Sequence, residues 1–355
     1  MRAAIRRGQQ IVVDDWELPP IEDGQVRVRT LHCGICGSDL HAVHNFESFI
    51  EYGRRAQLLT GRIDPTKDVV FGHEFCAEIV EFGPGTQKAV KEGAAVCAFA
   101  VNFDKQGAEG VGFSNRYPGG YAEYMILTES MLLPVTNGCP SEQAALVEPM
   151  AVAVHAVNKA DLIDSAYMVV GCGPIGLAIV AELKSRGLGP LVAVDFVPER
   201  RRIAELLGAD IVVDPAEFDP HSHWTAFEVP HGLLVYPRVQ TKSRRAVIFE
   251  CVGVPGILNK LVDAAPRSAQ IIVAGVCMAP DTIEPSLAIN KELELKFVMA
   301  YSTEEFRQTM GRVCEGELDV TPMISKIIGL DTVPATFDEL LTNPRDAKVL
   351  VNPRI

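Results

Sequence analysis

A glycine-rich segment between an apolar strand and a helix constrains the fold more than any other part of the sequence. The apolar run 167–170 predicts a buried strand, and Leu177 to Arg186 predicts a helix. Between them the chain reads Gly-x-Gly-x-x-Gly, with glycines at Gly171, Gly173 and Gly176. A strand, a glycine turn and a helix in this order begin a βαβ unit, and therefore predict a doubly wound parallel sheet.

A carboxylate follows where a dinucleotide would need one. Asp195 ends the next predicted strand, about twenty residues after the last glycine of the turn. Glycines let the backbone approach a pyrophosphate at the helix N-terminus, and Asp195 can accept hydrogen bonds from the adenosine ribose. We expect NAD rather than NADP, because this carboxylate repels a 2′-phosphate. The arginines at 200–202 leave some use of NADP possible. The alternative to a dinucleotide site is a glycine turn that only allows close packing.

The rest of the chain divides into two patterns. Further strand-like runs at 211–213, 246–250 and 270–276 belong to the parallel sheet. Residues 1 to about 150 contain short apolar or alternating runs between glycines and prolines, which predict a β-rich domain: Gln25 to Leu31, Cys76 to Phe82, Ala94 to Ala100 and Tyr121 to Leu127. Other predicted elements are a short helix within 45–55, helices from Ala144 to Lys159 and from Thr303 to Glu315, and a closing strand from Asp346 to Val351.

Residues that bind metals or carry protons are concentrated in the run 32–41. This run places a thiol, a hydroxyl and an imidazole at Cys36, Ser38 and His41, among glycines that let the backbone bend. Cys33 and Cys36 are alternatively a pair of buried thiols or a redox pair. No second CxxC follows, which disfavours a structural zinc ribbon.

Two later segments supply further ligands for the same metal. His73 and Glu74 follow a glycine, and Glu148 lies within an apolar segment. Cysteine, histidine and glutamate together suit zinc, and a catalytic zinc takes three protein ligands and keeps one position open. We therefore predict a catalytic zinc held by Cys36, His73 and one glutamate.

Composition limits the class of protein. With 355 residues and 48% hydrophobic content the chain can bury a large core in two domains. A net charge of -13 argues against nucleic acid or an anionic membrane as partner. We expect no signal peptide or membrane span. Nine cysteines, an odd number in apolar contexts, predict a reducing compartment and hence a cytoplasmic protein.

Taken together and in order, the motifs resemble the zinc-dependent medium-chain dehydrogenase/reductase family, which includes alcohol, sorbitol and threonine dehydrogenases. The resemblance spans nearly the whole chain and is carried by these segments: 34–41, Gly72-His73-Glu74, Pro118 to Tyr124, Glu148-Pro149, Gly171 to Gly176, and Glu250-Cys251-Val252-Gly253. It implies a GroES-like β-rich catalytic domain at 1–155, a Rossmann domain at 156–298 and a return to the catalytic domain at 299–355. The active site would lie in the cleft between the domains.

The resemblance also assigns the site residues. It makes Cys36 and His73 zinc ligands, leaves the choice between Glu74 and Glu148 open, and gives Asp39 the role of orienting the ligand histidine. Its catalytic set is Cys36, Ser38, His41, His73 and Glu74. The cofactor set comprises Gly171, Gly173, Pro174, Ile175, Gly176, Asp195, Arg200, Cys251, Val252 and Val276.

The sequence departs from the family in three places. Members with a structural zinc carry four cysteines where Asn102 to Tyr117 has none, so we expect one catalytic zinc and no structural zinc. The segment at 42–70 is longer than usual, and its role is open. The role of 214–245 is also open, and a second metal site from its histidines is disfavoured.

The predicted activity is reversible oxidation of a secondary alcohol or polyol to a ketone, with hydride transfer to NAD. Ser38 would accept the hydroxyl proton and pass it through the nicotinamide ribose toward His41. The alternatives are a zinc-independent enone or quinone reductase of the same fold and a non-catalytic NAD-binding protein. Apolar residues within 45–52, 99–103 and 299–301 favour a substrate less hydrophilic than sorbitol. We expect a homodimer or homotetramer.

Overall fold

The computed structural model describes residues 1–230, 243–343 and 345–355. The chain forms two compact units. Unit 1 comprises Met1–Glu148 and Phe306–Ile355, and unit 2 comprises Pro149–Glu305. Part of the segment 214–245, at 231–242, lies outside the described residues. None of the described helices is both long enough and apolar enough to cross a membrane.

The strands and helices follow one another along the chain with bounds close to most of the predictions. The strands are β1 (Arg2–Arg7), β2 (Gln10–Asp15), β3 (Gln25–Gly34), β4 (Glu74–Phe82), β5 (Ala95–Ala98), β6 (Val101–Asp104), β7 (Gly107–Gly110), β8 (Tyr124–Thr128), β9 (Leu132–Pro134), β10 (Ser165–Val170), β11 (Leu191–Val194), β12 (Ile211–Val213), β13 (Arg245–Glu250), β14 (Gln270–Val273), β15 (Glu294–Phe297), β16 (Ile324–Ile328) and β17 (Lys348–Val351). The α-helices are α1 (Gly37–His44), α2 (Phe46–Arg55), α3 (Ser141–Ala144), α4 (Val147–Asn158), α5 (Pro174–Ser185), α6 (Pro198–Leu206), α7 (Ile257–Ala264), α8 (Pro285–Lys291), α9 (Thr303–Cys314) and α10 (Val333–Thr342).

Unit 2 is the predicted doubly wound sheet. Its strands are all parallel and lie in the order β12-β11-β10-β13-β14-β15. The central strands read as continuous apolar runs, because helices cover both faces of such a sheet. Met168, Val192, Ile248 and Ile271 are accordingly buried in one core cluster. The order of the strands reverses beside β10, and ligands of such sheets bind at this position, outside the carboxyl ends of the strands.

Unit 1 is built around the long strand β3. A seven-stranded sheet has the order β16-β17-β3-β4-β5-β9, with β8 also paired to β3. The closing strand β17 returns to pair antiparallel with the end of β3, so that Leu350 lies opposite Gly34. Strand β17 thus joins the sheet of unit 1 that contains β3. The β1–β2 and β6–β7 hairpins were not predicted.

Two predicted strands differ in length from the observed strands for identifiable reasons. The predicted strand from Tyr121 begins only at Tyr124, because the backbone amides of 119–121 bond to the carbonyls of 70–72 instead. The predicted strand 270–276 ends at Val273, because the amides of Ala274 and Gly275 both donate to the Glu250 carbonyl. In both places, loop hydrogen bonds replace the sheet hydrogen bonds that strand propensity favours.

The segment 42–70 contains the predicted short helix, α2. The helix buries Phe46, Ile50 and Gly53, a spacing of four and three residues that turns one face toward the core. Phe46 packs edge-on against Phe71, with ring centroids 6.3 Å apart. The segment is therefore part of the unit 1 core, just before the chain reaches His73.

Candidate active site

Three predicted metal ligands meet beside the end of β3. Cys36 is the N-cap of α1, His73 precedes β4, and Glu74 begins β4 opposite Gly34. Their ligand atoms all lie within 4.8 Å of one another. Among the described residues these three form the one such group. A thiolate, an imidazole and a carboxylate in this arrangement are a donor set that zinc accepts.

The glycine before His73 allows this approach. Gly72 has a φ of +105°, and a Cβ there would lie 2.8 Å from the Cys33 sulfur and 2.9 Å from the Tyr121 amide nitrogen. A side chain would therefore collide with two neighbouring segments and also strain the backbone. The Gly-His-Glu motif thus needs its glycine in order to bring His73 beside β3.

Asp39 connects two of the ligands. Its carboxylate is fully buried, and its Oδ2 accepts hydrogen bonds from the Cys36 amide at 3.2 Å and from the Tyr121 hydroxyl at 2.6 Å. Its Oδ1 lies 3.4 Å from His73 Nδ1. The structure thus places Asp39 where it can orient His73, in keeping with its expected role.

The charges around His73 favour a cation. Burial lowers the pKa of His73, but the negative charges of Asp39 and Cys36 outweigh burial and hold the pKa well above its usual value. His73 Nδ1 and Asp39 Oδ1 are buried and form no hydrogen bond that meets normal geometry. An imidazole between a carboxylate and a thiol can bind a metal ion in place of a proton. The residues present therefore fit the predicted zinc.

Glu74 also belongs to a buried ion pair that the sequence did not predict. Lys348 Nζ lies 2.8 Å from Glu74 Oε1 and 2.6 Å from Oε2, and it donates to the Ile35 carbonyl at 3.2 Å. Both side chains are 1% exposed. Burial lowers the pKa of Lys348, and the charges of Glu74, Cys36 and Glu148 raise it by more. One lysine cation thus neutralises much of the negative charge beside the ligands.

Glu148 lies in the first turn of α4 and is half-buried. Its charge acts on Lys348, although its carboxylate is outside the group of three ligands within 4.8 Å. The charges of both glutamates therefore raise the pKa of Lys348, and the ion pair is with Glu74. The choice of the third ligand stays a proposal.

Ser38 and His41 lie on α1. Ser38 is half-buried in the first turn, and His41 is exposed three residues later. Residues three apart lie on the same side of a helix, so the two side chains can serve one path from the site to solvent.

The aromatic ring of Phe113 packs against His73, and two further rings pack against Phe113. The ring of Phe113 lies 5.0 Å from the ring of His73, 5.7 Å from Phe71 and 5.4 Å from Phe49 of α2. Phe113 comes from the cysteine-free segment 102–117, and Phe49 from the long segment 42–70. The segment 102–117 therefore places an aromatic ring against a candidate ligand, and the segment 42–70 packs a second ring against the first.

In unit 2 the predicted cofactor residues converge at the carboxyl ends of the strands. Gly173 is the N-cap of α5, and a Cβ there would meet nothing within 4 Å, so the backbone is open to a ligand. A Cβ on Gly176 would overlap the Gly171 carbonyl, so this glycine serves helix packing. A Cβ on Gly171 would lie 2.7 Å from Val252 Cγ2, next to Cys251. Pro174 and Ile175 follow in the first turn of α5, which has the form of a pyrophosphate site.

The remaining cofactor candidates lie at the same edge. Asp195 follows β11 and accepts hydrogen bonds from the amides of Cys172 at 2.7 Å and Val197 at 2.8 Å. Val276 is 55% exposed, and a Cβ on Gly253, beyond β13, would lie 2.7 Å from the Val276 backbone nitrogen. Arg200 lies in α6. The geometry thus brings this set together within unit 2 and fits a dinucleotide.

Three residues of the sites had no role assigned from the sequence. Tyr121 was only part of a motif, and Phe113 only part of the segment without cysteines. The role of Lys348 could have been predicted from the sequence, because a lysine in a closing strand that is otherwise apolar needs a buried partner.

Comparisons with known proteins give the family of the chain. Residues 22–137 match the alcohol dehydrogenase GroES-like domain, and residues 174–315 match the zinc-binding dehydrogenase family. The chain belongs to the zinc-dependent medium-chain dehydrogenase family. The predicted family, the fold class and the class of enzyme, an oxidoreductase of alcohols, are confirmed. This family membership supports zinc and a nicotinamide cofactor.

Individual relatives extend over the whole chain. The (R,R)-butanediol dehydrogenase of Bacillus subtilis (strain 168) is 31% identical over 363 residues, covering 99% of this chain and 100% of the relative. The L-threonine 3-dehydrogenase of Rhizobium rhizogenes (strain K84 / ATCC BAA-868) is 27% identical over an alignment that covers 94% of this chain and 93% of the relative. The crystal structure of 2R,3R-butanediol dehydrogenase from Bacillus subtilis superposes with a TM-score of 0.80 at 28% identity, over 99% of both chains.

Proposed function

We propose that the chain binds one catalytic zinc and uses NAD to oxidise a secondary hydroxyl of a short vicinal diol, reversibly, to the hydroxyketone. The observation that carries this proposal is the meeting of Cys36, His73 and Glu74 within 4.8 Å. Cys36 and His73 would hold the metal together with one carboxylate, from Glu74 or Glu148. Bound zinc supplies a Lewis acid that lowers the pKa of a substrate hydroxyl, and NAD supplies the hydride acceptor.

The chain's own residues would orient the ligands and move the proton. Asp39 holds the Cys36 amide and faces His73 Nδ1, which leaves Nε2 for the metal. Ser38 Oγ would accept the proton of the substrate hydroxyl. His41, exposed on the same side of α1, would release it to water.

The aromatic rings near His73 support a small, partly apolar substrate. Phe113 puts aromatic surface beside His73, where a long polyol would need hydrogen-bond partners, and Phe49 packs behind Phe113. The relative that is 31% identical is named a butanediol dehydrogenase, and the solved structure from Bacillus subtilis is named for 2R,3R-butanediol, in which two adjacent hydroxyls are flanked by methyl groups. We therefore propose short vicinal diols ahead of sugars and sugar alcohols.

Asp195 supports NAD over NADP. Two backbone amides fix its carboxylate at the end of β11, where it would repel a 2′-phosphate. The neighbouring arginines have other partners. Arg201 pairs with Asp214 at 2.8 Å, and Arg202 pairs with Glu199.

A homo-oligomer is proposed from the edge of the unit 2 sheet. Strand β15 is paired on one side only, to β14, among the strands that the structure describes. Phe297 is 72% exposed, and Met299 is 60% exposed. An open edge with apolar side chains favours pairing with a second copy of the chain.

All nine cysteines are unpaired, which supports a reducing, cytoplasmic location.

The test is NADH formation with a panel of substrates, with zinc quantified on the same preparation. The panel contains vicinal diols, secondary monoalcohols, polyols and threonine. We expect about one zinc per chain and the highest kcat/KM for a short diol. Turnover without zinc would favour the zinc-independent reductase, and zinc-loaded protein that binds NAD but oxidises none of these would contradict the proposed activity.

A further inference from the structure

A buried tyrosine hydroxyl lies behind the candidate metal centre. Tyr121 is fully buried, and its Oη is 2.6 Å from Asp39 Oδ2 and 3.0 Å from the Gly34 carbonyl oxygen. A hydroxyl has one proton to donate. The shorter contact, to a charged acceptor, is the stronger hydrogen bond, so Asp39 is the main acceptor.

The position of this hydroxyl is fixed by the fold. The Tyr121 amide donates to the Phe71 carbonyl at 3.2 Å, and the Tyr121 carbonyl accepts from Ala4 at 2.8 Å. The ring packs edge-on against Phe337, with centroids 5.9 Å apart and an interplanar angle of 89°. Because backbone and ring are both held, the hydroxyl presents a fixed donor to Asp39.

Asp39 in turn contacts both non-carboxylate ligands. The oxygen that accepts from Tyr121 also accepts from the Cys36 amide, and the other oxygen faces His73 Nδ1. Rotation of this carboxylate would therefore disturb Cys36 and His73 together. Among the described residues, Asp39 Oδ2 accepts hydrogen bonds from two donors, the Cys36 amide and the Tyr121 hydroxyl.

We propose that Tyr121 is a positioning residue of the metal centre, whose hydroxyl fixes Asp39 and thereby sets how tightly zinc is held. This inference rests on the proposed zinc site and adds a layer of residues behind it. Losing a residue that orients a ligand weakens metal binding by roughly 10- to 100-fold. Tyr121 acts on the ligands through Asp39, so loss of its hydroxyl should weaken zinc binding less, on the order of 3- to 10-fold.

The test compares two Tyr→Phe variants of the full-length protein. Tyr121→Phe removes the hydroxyl and keeps the ring. Tyr117→Phe is the matched control, because Tyr117 is also fully buried in unit 1 and also donates to a carboxylate, Asp104 Oδ2, at 3.0 Å. Zinc affinity and the rate of zinc release are measured by competition with a chromophoric chelator, and the stability of the zinc-free proteins by urea unfolding.

We expect both variants to lose similar stability, and only Tyr121→Phe to release zinc faster and bind it roughly 3- to 10-fold more weakly. Asp39→Asn should weaken zinc binding further. Unchanged or tighter zinc binding by Tyr121→Phe, or equal weakening by Tyr117→Phe, would overturn the inference and leave the proposed function standing. A wild-type protein that takes up no zinc would overturn both.

Discussion

Replacing Lys348 with methionine should destabilise unit 1 strongly. The substitution removes the cation that lies 2.6 and 2.8 Å from the two oxygens of Glu74, and it leaves a carboxylate that is 1% exposed without this partner. It also removes the donor to the Ile35 carbonyl. Breaking a buried pair from one side costs about 3–5 kcal/mol, because an uncompensated charge stays buried. For a unit of about 200 residues this corresponds to a fall in Tm of about 6–20 °C.

The assay is urea unfolding of zinc-stripped protein in EDTA, so that loss of metal binding does not contribute. Lys326→Met is the control, because Lys326 pairs with Glu339 and Asp346 at the surface, where such pairs contribute about 0–1 kcal/mol. The double variant Lys348→Met with Glu74→Met should recover most of the loss, since it replaces both charges with apolar groups. A loss below about 1 kcal/mol for Lys348→Met, or additive losses in the double variant, would refute the reasoning.

Four further predictions follow from the structure. Cys36→Ser should lose zinc and reduce kcat/KM by at least about 1000-fold, as expected when several kcal/mol of metal catalysis are lost, while NADH binding measured by fluorescence is retained. Ser38→Ala should lower kcat by roughly 10²- to 10⁴-fold with zinc content unchanged, and equal kcat would exclude its role in proton transfer. Asp195→Asn should lower the NAD-to-NADP ratio of kcat/KM by about tenfold, or about 1.4 kcal/mol, and an unchanged ratio would remove Asp195 from cofactor choice. Burial would raise the pKa of Glu305, but hydrogen bonds from Ser302, Asn158 and His155 outweigh it and bring the pKa to about 2. Because this pKa is depressed from 4.5, ionised Glu305 stabilises the fold above pH 4.5, and this stability is lost as the pH falls toward about 2. Glu305→Gln should therefore cost roughly 1–3 kcal/mol of unfolding free energy at pH 7. In urea unfolding at stepped pH, the variant should lose less stability than the wild type between pH 4.5 and about 2.

Local patterns in the sequence were enough to propose the two candidate sites, because each motif brings its residues together over a short stretch of chain. The turn at 171–176 and the ligands Cys36 and His73 lie next to glycines that permit close approach, and these were identified without any long-range information. The short helix predicted within 45–55 is present as Phe46–Arg55. Such features depend on a few neighbouring residues.

The missed features depend on contacts between distant residues. Lys348 meets Glu74 across 274 positions, and Tyr121 meets Asp39 across 82. Periodicity reports which face of a strand is buried, and it does not report which strand will lie beside it. The sequence could therefore name two carboxylates near the metal, but it could not show that one of them is held by a lysine.

The central claim is that Cys36, His73 and one glutamate hold a single zinc needed for turnover. The most direct measurement titrates zinc into stripped protein and follows the initial rate of NADH formation from a short vicinal diol. The account predicts a linear rise in rate that ends at about one zinc per chain, and no rise for Cys36→Ser. Full turnover before any zinc is added, with residual metal far below one per chain, would contradict it.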